Sequence, residues 1–207
     1  MTKVLHIHPE TPQPRLIREA VDTIRAGGLV VYPTDTTYAI GCGVGEKSAL
    51  DRLIRIRQLD KKHEFTLLCE DLSVLSTYAK VGNTDYRLLK AKTPGAYTWI
   101  LRGTSEVPRR LMHPKKRTIG IRVPDNNICQ QLLAEHGEPI MTSTLLLPND
   151  EYPLSDPIDI KTYLDGLVDV IIDGGFGGLE ETTVISLAEG EGPIVVRQGA
   201  GPLEDIH

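Results

Sequence analysis

Thr34, Asp35, Thr36 and Thr37 lie between Pro33 and Tyr38, so hydroxyls and a carboxylate gather where an apolar run, Leu29 to Pro33, comes to its end. Residues of these types either cap the local backbone or offer hydrogen bonds to a ligand. Further on, Arg55, Arg57, Lys61 and Lys62 place four cations within eight residues. A guanidinium grips phosphate with two parallel hydrogen bonds and an ammonium adds a mobile point charge, so the stretch suits phosphates. The plain alternative is a solvated helix end, where the helix dipole favours positive charge. Arg109, Arg110, Lys115, Lys116 and Arg117 form a second basic run with His113 inside it, and Arg122 follows, making six cations within fourteen residues. A nucleic-acid backbone or a triphosphate would find favourable contacts there. Arg122 differs in kind, because it sits inside the apolar segment TIGIRVP. It must either point to solvent from an edge or be held by an anion in a cleft.

The elements that have to position these groups follow from periodicity. Gln13 to Ala26 sets Leu16, Ile17, Ala20, Val21 and Ile24 on one helical stripe, closed by Gly27-Gly28. Strands are expected at Leu29–Pro33, Phe65–Cys69, Tyr97–Leu101, Thr118–Val123 and Val168–Ile172, with a final pair at Thr182–Leu187 and Ile194–Arg197. The segment TDTTYAIGCG after Pro33 has the small, polar composition of a loop. Helices are expected at Lys47–Gln58, Leu72–Tyr78, Asp85–Lys90, Asn126–His136 and Pro157–Leu164, the last with Asp156 as N-cap and Pro157 in the first turn. Interleaved helices and strands predict an α/β sheet, parallel at its centre and antiparallel where turns are short.

The 207 residues carry a net charge of −5, with 23 Lys+Arg against 28 Asp+Glu, yet 21 of the basic residues fall in 1–122 and 16 of the acidic ones in 123–207. A positive face on an acidic protein is therefore expected. No apolar stretch approaches the ~20 residues of a membrane span, and MTKVLHIHPE has no signal-peptide core, so the cytoplasm is the expected compartment and no membrane partner is foreseen. Cys42, Cys69 and Cys129 read as small buried hydrophobes, and His6 and His8 as surface or sheet residues, so no metal site is expected. With two Phe, seven Tyr and one Trp, a stacking platform for single strands is not supported. Phosphate loops, dinucleotide fingerprints and hydrolase elbows are absent.

Taken in order, VVYPTDTTYAIGC (Val30–Cys42), the basic helix end at Arg55–Asp60, TPGAYTWIL (Thr93–Leu101), TIGIRVP (Thr118–Pro124), PIMTST (Pro139–Thr144), TTVISL (Thr182–Leu187) and VVRQGA (Val195–Ala200) resemble the YrdC-like family. That family includes the threonylcarbamoyl-AMP synthases of transfer-RNA modification, and the likeness is greatest to its YciO-type branch. The resemblance implies a single domain over about residues 10–200, a twisted mixed α/β sheet with helices on its faces and a concave basic cleft. It implies that Thr34, Thr36, Tyr38 and Arg122 bind the threonine part of the substrate, Arg122 through its carboxylate. Arg55, Arg57, Thr142, Ser143, Thr182 and Arg197 would meet the nucleotide. Threonine, bicarbonate and ATP with Mg²⁺ are the implied reactants, and no permanent cofactor is implied.

Two positions depart from the synthase pattern. Where synthases carry KxR, usually followed by proline, this chain has Arg55-Ile56-Arg57-Gln58, and where they carry SxN it has Ser143-Thr144-Leu145. The expectation is a paralogue that binds ATP or a threonylcarbamoyl-AMP-type adenylate, with weak synthesis or hydrolysis and no catalytic residue assigned. The alternative is a non-catalytic module for double-stranded or structured RNA, with Lys61, Lys62, Arg109, Arg110, Lys115, Lys116 and Arg117 lining one groove.

Overall fold

A computed structural model describes the whole chain, Met1 to His207. The elements follow in the order β1 (Lys3–His6), α1 (Pro14–Arg25), β2 (Val30–Pro33), β3 (Tyr38–Gly43), α2 (Lys47–Arg57), β4 (Thr66–Leu68), α3 (Leu75–Tyr78), β5 (Ala79–Lys80), α4 (Asn83–Lys92), β6 (Tyr97–Gly103), β7 (Thr118–Arg122), α5 (Asn127–His136), β8 (Ile140–Thr144), α6 (Pro157–Leu164), β9 (Val170–Asp173), β10 (Thr183–Ser186) and β11 (Ile194–Arg197). The strands form one sheet in the order β1-β9-β2-β3-β8-β4-β7-β6-β10-β11, with β5 beside the end of β6. No helix is long and apolar enough to cross a membrane.

The helix signals act as expected. Asn126 accepts a hydrogen bond from Cys129 N–H at 3.0 Å, and Gly137 ends α5 in the left-handed conformation at φ 78°. Asp156 accepts from Ile158 N–H at 2.9 Å with Pro157 in the first turn of α6. Two expectations are corrected. Tyr38–Gly43 is not loop but a fully buried strand, because its small residues admit close neighbours: a Cβ on Gly41 would lie 2.8 Å from the Met141 carbonyl oxygen and 2.9 Å from Tyr32 Oη. The centre of the sheet is antiparallel rather than parallel. β2 turns directly into β3, and β8 returns between β3 and β4 antiparallel to both, so the parallel pairs lie to either side.

Alternation along the strands sorts the interior into two faces. Val31, Ile40, Leu67, Trp99, Ile119, Ile121, Met141, Ile171 and Ile185 belong to a core of 30 buried residues that also takes up the apolar sides of α2, α3, α4 and α6. Val30, Tyr32, Ala39, Leu68, Ile140, Val170 and Ile172 point the other way, into a second core of 17 residues under α1 and α5. The α1–α5 pair packs over β1, β9, β2 and β3. Beyond it, across β4, β7, β6 and β10, the residues of that same face are Thr66, Gly120, Arg122, Thr98 and Val184, which no helix stripe covers. The bare half of this sheet face is the floor of a cleft.

Candidate ligand-binding cleft

The cleft has a volume of about 400 Å³, within the range of small-molecule sites. Arg122 stands at one end. It is 6 % exposed, and its Nη2 donates to Thr34 Oγ1 at 3.1 Å, to Thr36 Oγ1 at 2.9 Å and to the Asp35 carboxylate. The segment after β2 thus cradles Arg122 instead of facing the cleft itself. The Asp35 charge compensates a guanidinium that would otherwise be costly to bury. Arg122 Nε is buried without any partner. A buried unpaired N–H donor is costly, and a shift of this cleft-lining side chain toward an acceptor brought by a ligand would relieve that cost.

Arg57 stands at the other end, donating through Nε to the Leu146 carbonyl at 3.0 Å and through Nη1 to Ser143 Oγ. Burial disfavours its charge, while Glu181 nearby supports it. Between the two arginines, Tyr32 Oη donates to Thr142 Oγ1 at 2.5 Å, which leaves the Thr142 hydroxyl proton free to donate into the cleft. Across the floor Thr98 and Thr182 share a hydrogen bond of 2.7 Å. Arg197 donates to the Thr182 carbonyl at 2.9 and 3.2 Å and pairs with Glu181 at 3.4 Å. A bulge in the pairing of β10 with β11 lets the consecutive residues Val196 and Arg197 both line the cleft.

Arg57, Arg122, Thr142, Ser143, Thr182 and Arg197 are therefore gathered at one site, whereas other expected residues stand elsewhere. Thr34 and Thr36 act through Arg122. Tyr38 is fully buried, and its hydroxyl donates to the Gly175 carbonyl at 2.7 Å and accepts from Gly174 N–H at 3.1 Å, so it fastens the glycine-rich segment after β9. Burial pushes its phenol up to about 12. Arg55, two positions from Arg57 and so on another side of α2, lines a separate groove with Leu147, Leu154 and Tyr163. Leu145, aligned with the synthase amide, is packed in the larger core, and Leu146 faces the cleft in its stead.

The expected single basic groove is not formed. Lys61 and Lys62 line neither the cleft nor the hollow beside Arg109, Lys115, Lys116 and Arg117, and Arg110 is occupied by the Gly45 carbonyl at 2.7 Å. The cleft is also less basic than expected, since Arg57, Arg122 and Arg197 share it with Glu64 and Glu181. Sequence reasoning missed His63, Glu64 and Glu181, and it named Asp35 without foreseeing its pairing with Arg122. Parity could have found Glu64 and Thr66, which alternate with the apolar Phe65 and Leu67. His63 lines the cleft, and its imidazole is pushed down to about 4 by burial and by Arg57, so it is neutral at physiological pH. Glu64 accepts from Thr118 Oγ1 at 3.1 Å.

Comparison with known proteins agrees with this geometry. Residues 22–199 match the Sua5/YciO/YrdC family model, described as telomere recombination. The chain is 52 % identical over 204 residues to Escherichia coli YciO, covering 99 % of this chain and 98 % of that protein. The E. coli YciO crystal structure superposes with a TM-score of 0.96 at 51 % identity over the full length of both chains. A threonylcarbamoyl-AMP synthase from Halorhodospira halophila is 25 % identical over 86 % of this chain and 92 % of its own. Sua5 of P. abyssi in complex with L-threonine gives a TM-score of 0.90 at 27 % identity, covering 99 % of this chain and 60 % of that one. The chain belongs to the Sua5/YciO/YrdC family.

Proposed function

We propose that the cleft binds a threonylcarbamoyl-AMP-type adenylate, with the amino-acid carboxylate on Arg122 and the phosphate and ribose between Arg57 and Arg197. The observation that carries this reading is the unpartnered Nε of a buried, charge-compensated Arg122 in the cleft wall. Charge-assisted bonds from a fixed guanidinium suit a carboxylate, and two further arginines with the Thr142 and Ser143 hydroxyls suit a phosphate. The L-threonine complex of a relative with the same fold supports the amino-acid end.

The reaction that fits best is hydrolysis of the adenylate. Water adds to the carbamoyl carbon, the bond to the phosphate oxygen breaks, AMP leaves, and the N-carboxythreonine formed loses CO₂ to give threonine. Forward synthesis from threonine, bicarbonate and ATP must hold a triphosphate. Here Glu64 and Glu181 oppose that charge, and the helix end carries only Arg57 into the cleft. An adenylate with a single phosphate is accommodated more readily. Mg²⁺ would enter with ATP on its phosphates, since the chain has no group of three or more metal-ligating side chains. On this reading the protein acts beside transfer-RNA threonylcarbamoylation, on its activated intermediate.

Product analysis tests the reading. One incubation holds the protein with preformed threonylcarbamoyl-AMP, and a second holds it with threonine, bicarbonate, ATP and Mg²⁺. Release of AMP and threonine well above the uncatalysed rate in the first, with slower pyrophosphate release in the second, is the expected result. No acceleration in either removes the enzymatic reading.

A further inference from the structure

The second basic run, which the cleft leaves unused, builds a hollow of its own. At the end of β6 and the start of β7 a concavity of about 620 Å³ is lined by six cations: Lys80, Arg102, Arg109, Lys115, Lys116 and Arg117. No carboxylate lines it. Glu106, the one acid within 102–117, is exposed and outside the lining. None of the six takes part in an ion pair, although the chain holds 28 Asp+Glu. Cations held together on a concave surface repel one another and focus a positive field, which a bound anion relieves.

The cations stand on a fixed frame. His113 Nδ1 accepts from Lys115 N–H and Lys116 N–H at 3.3 and 3.2 Å, and the His113 carbonyl accepts from Arg117 N–H at 2.9 Å. Arg117 is left-handed at φ 54°, a conformation unfavourable for a non-glycine residue, and its carbonyl accepts from Gly103 N–H at 3.0 Å. Arg102 Nε is anchored on the Ala188 carbonyl at 3.0 Å. No aromatic residue lines the hollow, so it offers charge without stacking. It shares no lining residue with the cleft, although Ile100 of the cleft and Arg102 of the hollow are alternate residues on β6, about 7 Å apart.

We propose that this hollow is a second anion site, which takes two or more neighbouring phosphates of an oligophosphate chain. A nucleic-acid backbone and a free oligophosphate share that chemistry. Six cations exceed what one phosphate can engage, and the missing aromatics argue for contact with the backbone rather than with bases.

The test titrates the full chain with inorganic tripolyphosphate by calorimetry and with a 20-base-pair RNA duplex by fluorescence anisotropy, each at 50 and 200 mM salt. Three proteins are compared: wild type, the triple variant Arg109→Gln/Lys115→Gln/Lys116→Gln, and the cleft variant Arg57→Gln. The triple variant should bind at least tenfold more weakly, while Arg57→Gln stays within about threefold of wild type. For RNA, the slope of log affinity against log salt should flatten by about 0.9 for each phosphate contact removed. Binding of RNA alone assigns the site to a nucleic-acid backbone, and binding of tripolyphosphate alone assigns it to a free oligophosphate. The charge-conserving variant Arg109→Lys/Lys115→Arg/Lys116→Arg should retain binding, which separates lost charge from lost folding. Absence of binding by either probe to wild type, equal binding by the triple variant, or loss only with Arg57→Gln would overturn the proposal.

Discussion

The Asp35 carboxylate and the Arg122 guanidinium form an ion pair whose side chains are 11 % and 7 % exposed, joining the segment after β2 to the end of β7. Removing one partner of such a pair strands the other charge in a medium that solvates it poorly. Asp35→Ala should therefore destabilise the fold by about 3 kcal/mol in urea denaturation. Asp35→Asn, which keeps an acceptor for Arg122, should cost less. An unchanged midpoint in Asp35→Ala would show that Thr34 and Thr36 hold Arg122 unaided.

The end of α2 makes a second prediction. Gln58 caps the helix at φ 52°, with its N–H on the Ile54 carbonyl. Proline, which usually follows the arginine in synthases, is locked near φ −65° and has no N–H, so it cannot stand here. Gln58→Pro should lower stability by about 3 kcal/mol or more, whereas Gln58→Gly, for which the left-handed region is free of strain, should be neutral or raise it by up to about 1 kcal/mol. Thermal denaturation of the two variants decides. A tolerated proline would mean that α2 can end as the synthase pattern requires.

His63 gives the pH dependence. Its folded value, about 4, lies below the ordinary 6.5, so between these values the unfolded chain binds the extra proton and stability falls as pH falls. The slope contributed by this one group approaches 1.4 kcal/mol per pH unit inside the window and vanishes above it. In urea titrations from pH 4 to 7, His63→Gln should show a shallower fall than wild type by about that amount. Parallel curves would place His63 in solvent.

Gly178 tests how the glycine-rich segment seats on the Arg122 cradle. A Cβ there would lie 2.2 Å from the Thr36 carbonyl oxygen, which is backbone and cannot rotate away. Gly178→Ala should displace the segment carrying Thr34 and Thr36 and weaken adenylate binding by at least tenfold. Calorimetric titration with a stable threonylcarbamoyl-adenylate analogue measures this, and unchanged affinity would separate the two segments from the site.

The sequence made the caps and stripes of α1, α5 and α6 legible because those signals are local. It also showed which residues are basic. It did not show β3, because a strand buried on both faces by small residues carries no alternation to read. Nor did it show the antiparallel centre, which depends on β8 entering between β3 and β4, about a hundred residues away from β3 in sequence. At the site, the alternation Thr118-Ile119-Gly120-Ile121-Arg122 already held the information that Gly120 and Arg122 share a face away from the Ile119/Ile121 core. What sequence could not supply was the ending of the α1–α5 cover, which leaves that face open. Arg55 and Arg57 parted for a simpler reason: residues two apart on a helix point about 200° away from each other.

The most direct test of the central claim is isothermal titration of the stable threonylcarbamoyl-adenylate analogue into wild type and into Arg122→Gln, with L-threonine as a second ligand. The account predicts saturable binding of both ligands to wild type, and loss of L-threonine together with at least a tenfold weakening of the analogue in the variant. Equal affinities for wild type and variant, or no heat with either ligand, would contradict it.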